Sequence, residues 1–194
     1  MDQNVILVET VPLEFDLESL GCRLRIRPGQ TKFMDRLSRL AEEAVRVARP
    51  KAVARLCGLT ILDEENVQVG EVTFSSPLLR QKMDGLGRAF PYLASEGTEL
   101  ADWSLSLSSS LEQVFASALR EVAVQQAENL LERTLLERYG IAQVSAMNPG
   151  SLKVWSLEEQ VPLFELLAPL PEKLGVTLLP SLMMRPEYSV SGVF

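Results

Sequence analysis

The sequence contains no histidine, and this absence limits its chemistry more than any other feature. Without histidine there is no Ser-His-Asp or Cys-His nucleophilic site, no His-ligated zinc and no imidazole general base. An unrelated hydrolase is disfavoured because no nucleophile–base pair remains. Only two cysteines are present, Cys22 and Cys57, and they form no CxxC pair. Both adjoin glycine and apolar residues, so we expect buried reduced thiols, with a disulfide or redox pair as the alternative.

Clustered positive charge and long apolar runs are also missing. The 194 residues carry a formal net charge of −7, and their densest basic run, Arg25-Ile26-Arg27, is short. A phosphate backbone requires clustered lysine and arginine, so we expect no nucleic-acid partner. No uninterrupted apolar run approaches the ~18 residues of a membrane span. The first residues lack the basic and apolar regions of a secretory signal, so we predict a cytoplasmic location without membrane association.

The apolar pattern predicts a mixture of helices and strands. Helical spacing runs from near Thr31 to Pro50 and again over 111–136, where Tyr139-Gly140 ends the helix. A short helix is predicted at 51–57, and strands are predicted at 5–11, 67–74, 89–94 and 141–146, with Pro91 favouring a sheet edge. Without repeats, a linker or a regular βαβ rhythm, residues 1–194 are predicted to form a single domain. Its fold class is α+β, with a twisted, mainly antiparallel sheet and flanking helices.

Acidic residues give two weak indications of a site. The consecutive carboxylates at 63–65 are not spaced like calcium ligands, so this segment predicts a turn and no metal site is expected. Glu128 and Glu132 are four residues apart on the long helix and therefore share a face. Such a pair can serve acid–base chemistry or bind a cation. The alternative is ordinary surface pairing with Arg133 and Arg138.

The C-terminal quarter of the chain holds its densest turn chemistry. Asn148-Pro149-Gly150 predicts a tight turn, since proline fixes φ and glycine permits positive φ. Such a turn exposes backbone amides that can hold a carboxylate or phosphate, unless it merely reverses the chain. Ser156 to Glu159 forms a capping box that opens a helix. Strand, turn and strand follow to Phe194, with Met183 and Met184 expected in the core.

The same quarter resembles the activation domain of cobalamin-dependent methionine synthase. It is more closely similar to stand-alone relatives of that domain found beside corrinoid methyltransferases. The resemblance covers about the last fifty residues and extends weakly back to Ala127-Glu128 and Glu132-Arg133. It rests on the following elements in order: Pro149-Gly150, a helix with Glu159 and Phe164-x-Leu166-Leu167, Leu174-Gly175-Val176-x-Leu178, Met184-x-Pro186, and Ser189-Val190-Ser191-Gly192.

This resemblance implies a function and a ligand. In that family the domain binds S-adenosylmethionine and presents it to an oxidised corrinoid carried by another domain. It implies an accessory or activation-type protein whose ligand lies near Glu128, Asn148, Pro149, Gly150 and Ser151. Cobalamin is expected on a partner, either a corrinoid protein or a cobalamin-dependent methyltransferase. No catalytic residue is assigned, and any enzymatic activity is that of a methionine synthase-type methyltransferase.

An alternative follows from two differences at the turn. The family places an arginine and a tyrosine around the Pro-Gly pair, and this chain has Ala146 and Ser151 there. The alternative is a non-catalytic module that docks on a corrinoid protein or methyltransferase, or pairs with itself, without binding S-adenosylmethionine.

Overall fold

The computed structural model describes residues 3–151 and 155–194. The helices are α1 (Leu17–Arg23), α2 (Thr31–Val47), α3 (Pro77–Lys82), α4 (Thr98–Ser106), α5 (Ser110–Tyr139), α6 (Gln160–Leu167) and α7 (Leu170–Leu174). The strands are β1 (Val5–Val8), β2 (Lys51–Arg55), β3 (Cys57–Ile61), β4 (Asn66–Val69), β5 (Val72–Ser75), β6 (Arg88–Ala89), β7 (Pro91–Ser95), β8 (Thr177–Leu178), β9 (Met184–Arg185) and β10 (Ser189–Val193). Every strand pairing among the described residues is antiparallel, which confirms the predicted α+β class.

A four-stranded sheet in the order β1-β2-β7-β10 positions the site. Strand β7 is interior to this sheet and all five of its residues are buried, so the prediction of an edge strand was wrong. The β2–β7 ladder runs from Lys51 opposite Ser95 to Ala54 opposite Tyr92. Pro91 lies one residue beyond that ladder, and its missing N–H therefore costs no hydrogen bond to β2.

Helix α5 crosses one face of this sheet. Its buried side chains recur every four residues, at Phe115, Leu119, Ala123, Ala127, Leu131 and Leu135. The small residues near its middle let the helix approach the strands closely. Gly140 ends the helix in the left-handed conformation with φ of 60°, as predicted. The packing places Glu128, the neighbour of Ala127, over the sheet.

The opposite face of the sheet is covered by α6, α7 and the buried Trp155. A second antiparallel sheet, in the order β5-β4-β3-β6, shares this core, and β8 pairs with β9 as a separate hairpin. The capping box formed only in part. The Ser156 hydroxyl accepts from the Glu158 N–H at 3.3 Å, whereas the Glu159 carboxylate accepts from the Ser75 N–H at 3.4 Å.

Three local predictions were wrong for identifiable reasons. Residues 51–57 form strand β2 and the start of β3 rather than a helix, because residues 52–54 are buried between neighbouring strands. Residues 67–74 form the hairpin β4–β5, in which Gly70 turns the chain with φ of 60°. Residues 141–146 form no strand, and pairing with β10 begins only at Met147.

The remaining expectations concern cysteine, metals and membranes. Both cysteines are free, but Cys22 is exposed and only Cys57 is buried. Burial raises the pKa of the Cys57 thiol. The acidic segment 63–65 is a bend, as predicted, in which Asp63 accepts hydrogen bonds from Asn66. Within 3–151 and 155–194, no three His, Cys, Asp or Glu side chains are grouped to hold a metal. No helix in those ranges could cross a bilayer.

Candidate functional site

Tyr92 connects the two regions that the sequence singled out. Strand β7 places its side chain beneath α5, where the residue is 0% exposed. Its hydroxyl donates to Glu128 Oε1 at 2.6 Å and accepts from Asn148 Nδ2 at 2.7 Å. Glu128 and Asn148 are thus brought together through a residue that the sequence analysis did not select. Glu128 forms this partly buried contact rather than the expected surface pair with Arg133 or Arg138.

Pro149 interrupts a strand ladder beside β10, and this interruption determines the position of the Asn148 side chain. Met147 and Val193 exchange two backbone hydrogen bonds of 2.9 Å. The next outward-facing residue of β10 is Ser191, and its partner in a continued ladder would be Pro149, which has no N–H. Asn148 Nδ2 instead donates to the Ser191 carbonyl oxygen at 2.9 Å. The asparagine side chain therefore replaces the backbone donor that proline lacks.

Gly192 is required because three groups crowd its Cα. A Cβ atom there would lie 2.3 Å from the Met147 carbonyl oxygen, 2.7 Å from Asn148 Nδ2 and 2.9 Å from Tyr92 Cε1. Contacts this short between non-bonded heavy atoms are repulsive. The glycine of the Ser-Val-Ser-Gly motif thus permits the 147–148 segment to cross β10 closely. Nothing in the single sequence indicates that Tyr92 lies on the other side of this crossing.

The environment of Tyr92 keeps its hydroxyl protonated. The ring stacks on Phe194 with centroids 4.0 Å apart and an interplanar angle of 20°. Burial raises the pKa of Tyr92, and the charge of Glu128 raises it further by disfavouring a nearby phenolate. The neutral hydroxyl can therefore donate to Glu128 throughout the physiological range. One carboxylate oxygen of Glu128 is committed to this contact.

The Pro-Gly turn is closed by its own hydrogen bonds. Gly150 has φ of 79°, and its N–H donates to the Trp155 carbonyl oxygen at 2.9 Å. The Ser151 N–H and hydroxyl both donate to the Asn148 carbonyl oxygen, at 3.2 Å and 2.6 Å. Pro149 is buried. The amides expected to hold a ligand thus have partners within the chain.

A groove of about 260 Å³ lies beside this turn, along the outer edge of β10. Asn148 and Pro149 form one end, and Glu187 lies among its lining residues. Met183 also lines the groove and is 57% exposed, so its expected core position was wrong. Gln160 lines it from α6 and is 4% exposed. No lysine or arginine of the described chain lines this groove, so it favours neutral or cationic groups.

These residues can be tested against S-adenosylmethionine, whose amino-acid end carries a carboxylate. A buried carboxylate needs a cation or several N–H donors. The described residues at the turn provide neither, because the Gly150 and Ser151 amides are already bonded and Ala146 has no polar side chain. Glu128 is partly used by Tyr92. The described residues therefore do not form a carboxylate anchor for this ligand in the present geometry.

A buried ion pair between Arg120 and Glu96 contacts the residues that precede β10. Arg120 donates to both carboxylate oxygens of Glu96, at 2.6 Å and 2.7 Å, and Glu96 is 0% exposed. The guanidinium also lies 4.5 Å from the ring centroid of Tyr188, whose N–H donates to Glu96 at 3.3 Å. Burial raises the pKa of Glu96, and the hydrogen bonds from Arg120 oppose that rise. The pair ties α5 to the residues that precede β10.

Comparison with known proteins gives a structural likeness without a sequence relative. No family model matches the chain, and no curated protein matches its sequence. A solved structure described as the MetH reactivation domain bound to AdoHcy superposes with a TM-score of 0.69. The likeness covers 97% of this chain and 77% of the other, at 15% sequence identity. The chain therefore has the fold of the MetH reactivation domain, as the C-terminal motifs predicted.

Proposed function

We propose that this chain is an accessory protein of activation type that docks on the corrinoid-carrying component of a cobalamin-dependent methyl-transfer system. The observation that carries the proposal is the likeness to the MetH reactivation domain over 97% of the chain. The resemblance in the last fifty residues supports the same role independently of the overall superposition. We further infer that cobalamin is held by the partner and that the pair works in the cytoplasm.

The form of this role that the site geometry favours is docking without S-adenosylmethionine. The turn is closed on Trp155, and Asn148 fills the space between β10 and Tyr92. A partly buried polar network whose members have partners makes the site rigid, which opposes insertion of a ligand. In this form the chain contributes a binding surface, and methyl-transfer chemistry belongs to the partner and its cofactor.

A second candidate is activation that depends on S-adenosylmethionine. It is supported by the AdoHcy bound to the structural neighbour, because AdoHcy is S-adenosylmethionine without its transferable methyl group. In this candidate Glu128, Asn148, Pro149, Gly150 and Ser151 form the ligand surface. The Gly150 N–H would have to leave the Trp155 carbonyl oxygen to become available.

Sedimentation of the full chain with a purified corrinoid protein of the methionine synthase type tests the docking role. We expect a complex in the absence of S-adenosylmethionine and no large gain in affinity when it is added. If no complex forms under either condition, the proposed role is refuted. A complex that forms only with S-adenosylmethionine would select the second candidate. Self-association of the chain alone, measured in the same experiment, tests the homodimer.

A further inference from the structure

The outer edge of β10 is only partly covered. Phe194 and Phe90 exchange backbone hydrogen bonds of 2.9 Å and 3.0 Å, so every second residue back from Phe194 faces β7. Ser189, Ser191 and Val193 consequently direct their backbone groups away from the sheet. Met147 exchanges backbone hydrogen bonds with Val193, and Asn148 Nδ2 donates to the Ser191 carbonyl oxygen. Among the described residues, no partner for the outward-facing Ser191 N–H is found, and Ser191 is 3% exposed.

An unpaired acceptor lies close to this unpaired donor. Gln160 Nε2 donates to Ser191 Oγ at 3.1 Å, which fixes the glutamine beside the strand edge. Gln160 Oε1 is buried and has no partner among residues 3–151 and 155–194. Buried polar groups are normally hydrogen-bonded, so a donor from water or from a bound molecule would satisfy this oxygen. A donor and an acceptor of the kind a peptide bond satisfies thus lie unpaired beside one groove, on residues that are 3% and 4% exposed.

The rim of the groove is apolar and adaptable. Leu157 and Met183 both line the groove and are 43% and 57% exposed, and Val161 nearby on α6 is 41% exposed. Methionine side chains adapt to different partners and are common on peptide-binding surfaces. Glu187 is the charged residue of the lining; its side chain is 64% exposed, and Arg120 Nη1 lies 3.9 Å from its carboxylate on the buried side. Together with the net charge of −7, it favours a basic rather than an acidic segment.

We propose that an extended segment of the partner protein adds to β10 in this groove. One backbone N–H of the segment donates to Gln160 Oε1, and a carbonyl oxygen accepts from the Ser191 N–H. An apolar side chain packs against Leu157 and Met183, and a lysine or arginine faces Glu187. The identity of the partner rests on the proposed function, whereas the site itself rests on the unpaired Ser191 N–H and Gln160 Oε1.

The test uses the full-length chain and a synthetic library of short, end-blocked peptides. Selected peptides are expected to combine an apolar residue with lysine or arginine. Binding is expected to shift the Ser191 amide resonance and slow its hydrogen exchange. N-methylation of the peptide N–H that meets Gln160 should weaken binding about tenfold, as loss of one good hydrogen bond does. This control alters only the peptide, so protein folding does not affect it.

Matched protein variants locate the binding. Gln160→Leu is expected to weaken binding about tenfold, and Glu187→Gln to abolish the preference for basic peptides. Leu105→Gln changes an exposed apolar residue on α4, outside the groove lining, and should leave affinity unchanged. The proposal is overturned if no peptide binds at millimolar concentration. It is equally overturned if N-methylated peptides bind as well, or if the Ser191 amide is unaffected.

A parallel titration with the corrinoid protein separates this inference from the proposed function. If the corrinoid protein binds but no peptide does, docking stands and the strand-edge site fails. If a peptide binds at Ser191 but the corrinoid protein does not, the site stands and the proposed partner class is wrong.

Discussion

Asn148 Nδ2 lies 2.7 Å from the hydroxyl oxygen of Tyr92, although the two residues are 56 positions apart in the sequence. Because the same hydroxyl donates to Glu128, the turn, the sheet and the long helix share one hydrogen-bond network. The network accounts for the closed form of the turn. It also means that Glu128 and Asn148, which the sequence analysis assigned to ligand binding, contribute to the stability of the chain.

Tyr92→Phe and Asn148→Ala should each lower the free energy of unfolding by about 1–3 kcal/mol, since each takes a hydrogen-bond partner from buried or partly buried polar groups. The double variant should lose about 1 kcal/mol less than the sum, because the two residues share one hydrogen bond. Urea denaturation of the four proteins measures the coupling. Strictly additive losses would mean that the 2.7 Å contact contributes nothing to stability.

Alkaline pH should destabilise the chain through Tyr92. Its pKa is raised in the folded state above the unfolded value of about 10. A raised pKa contributes stability that is complete below pH of about 10 and is lost as the pH rises above it. The unfolding free energy of wild type should therefore fall relative to that of Tyr92→Phe, by up to about 1.4 kcal/mol per pH unit. Parallel stability curves for the two proteins above pH of about 10 would contradict this.

Gly192→Ala should be more costly than an ordinary strand substitution. Its Cβ would press on the Met147 carbonyl oxygen at 2.3 Å, and a backbone atom cannot move aside cheaply. We expect a loss of about 1–3 kcal/mol in unfolding free energy, the usual cost of overpacking. Gly58→Ala is the matched control, since nothing lies within 4 Å of its Cβ position. The two substitutions should differ clearly in thermal denaturation, and equal effects would refute the close crossing.

Replacement of Arg120 should lower the free energy of unfolding, because the buried Glu96 loses its cationic partner. Arg120→Leu leaves a fully buried carboxylate without its cation, and truncating one partner of such a pair costs about 3–5 kcal/mol. Loss of Arg120 also removes the contacts that oppose the raised pKa of Glu96. A raised carboxyl pKa gives stability that is present at low pH and lost as pH rises through it.

The deficit of Arg120→Leu relative to wild type should therefore be larger at pH of about 8 than at about 4, where Glu96 can be protonated. Chemical denaturation at both pH values measures it. The double variant Glu96→Leu/Arg120→Leu should recover part of the loss, because no unpaired charge remains. An equal deficit at both pH values would show that Glu96 carries no buried charge.

The sequence predicted the fold better than it predicted the site. Helix α5 and its Gly140 end follow from local periodicity and glycine chemistry, and both were found. Strand β2 was missed because its alanines favour a helix locally, while burial between β1 and β7 decides for a strand. The interior position of β7 was missed because Pro91 suggested an edge strand. A proline is compatible with an interior strand here only because the ladder with β2 ends at Tyr92, one residue away.

The site depended on contacts that no local pattern encodes. The pairing of Met147 with Val193 determines that Asn148 reaches Tyr92, and it joins segments far apart in sequence. Gly192 was recognised as part of a motif, but its physical reason lies in the 2.3 Å approach of a backbone oxygen from another segment. A glycine within a strand gives a hint of such an approach. Tyr92 and Gln160 carried no such signal.

The central claim is that the chain keeps the reactivation-domain fold while its turn is closed to the ligand. Isothermal titration calorimetry of the full chain with S-adenosylmethionine, and separately with AdoHcy, tests it most directly. We predict no saturable heat for either compound up to about 1 mM, which corresponds to less than about 4 kcal/mol of binding free energy. Saturable binding with Kd in the micromolar range, weakened by Glu128→Ala or Asn148→Ala, would contradict the account.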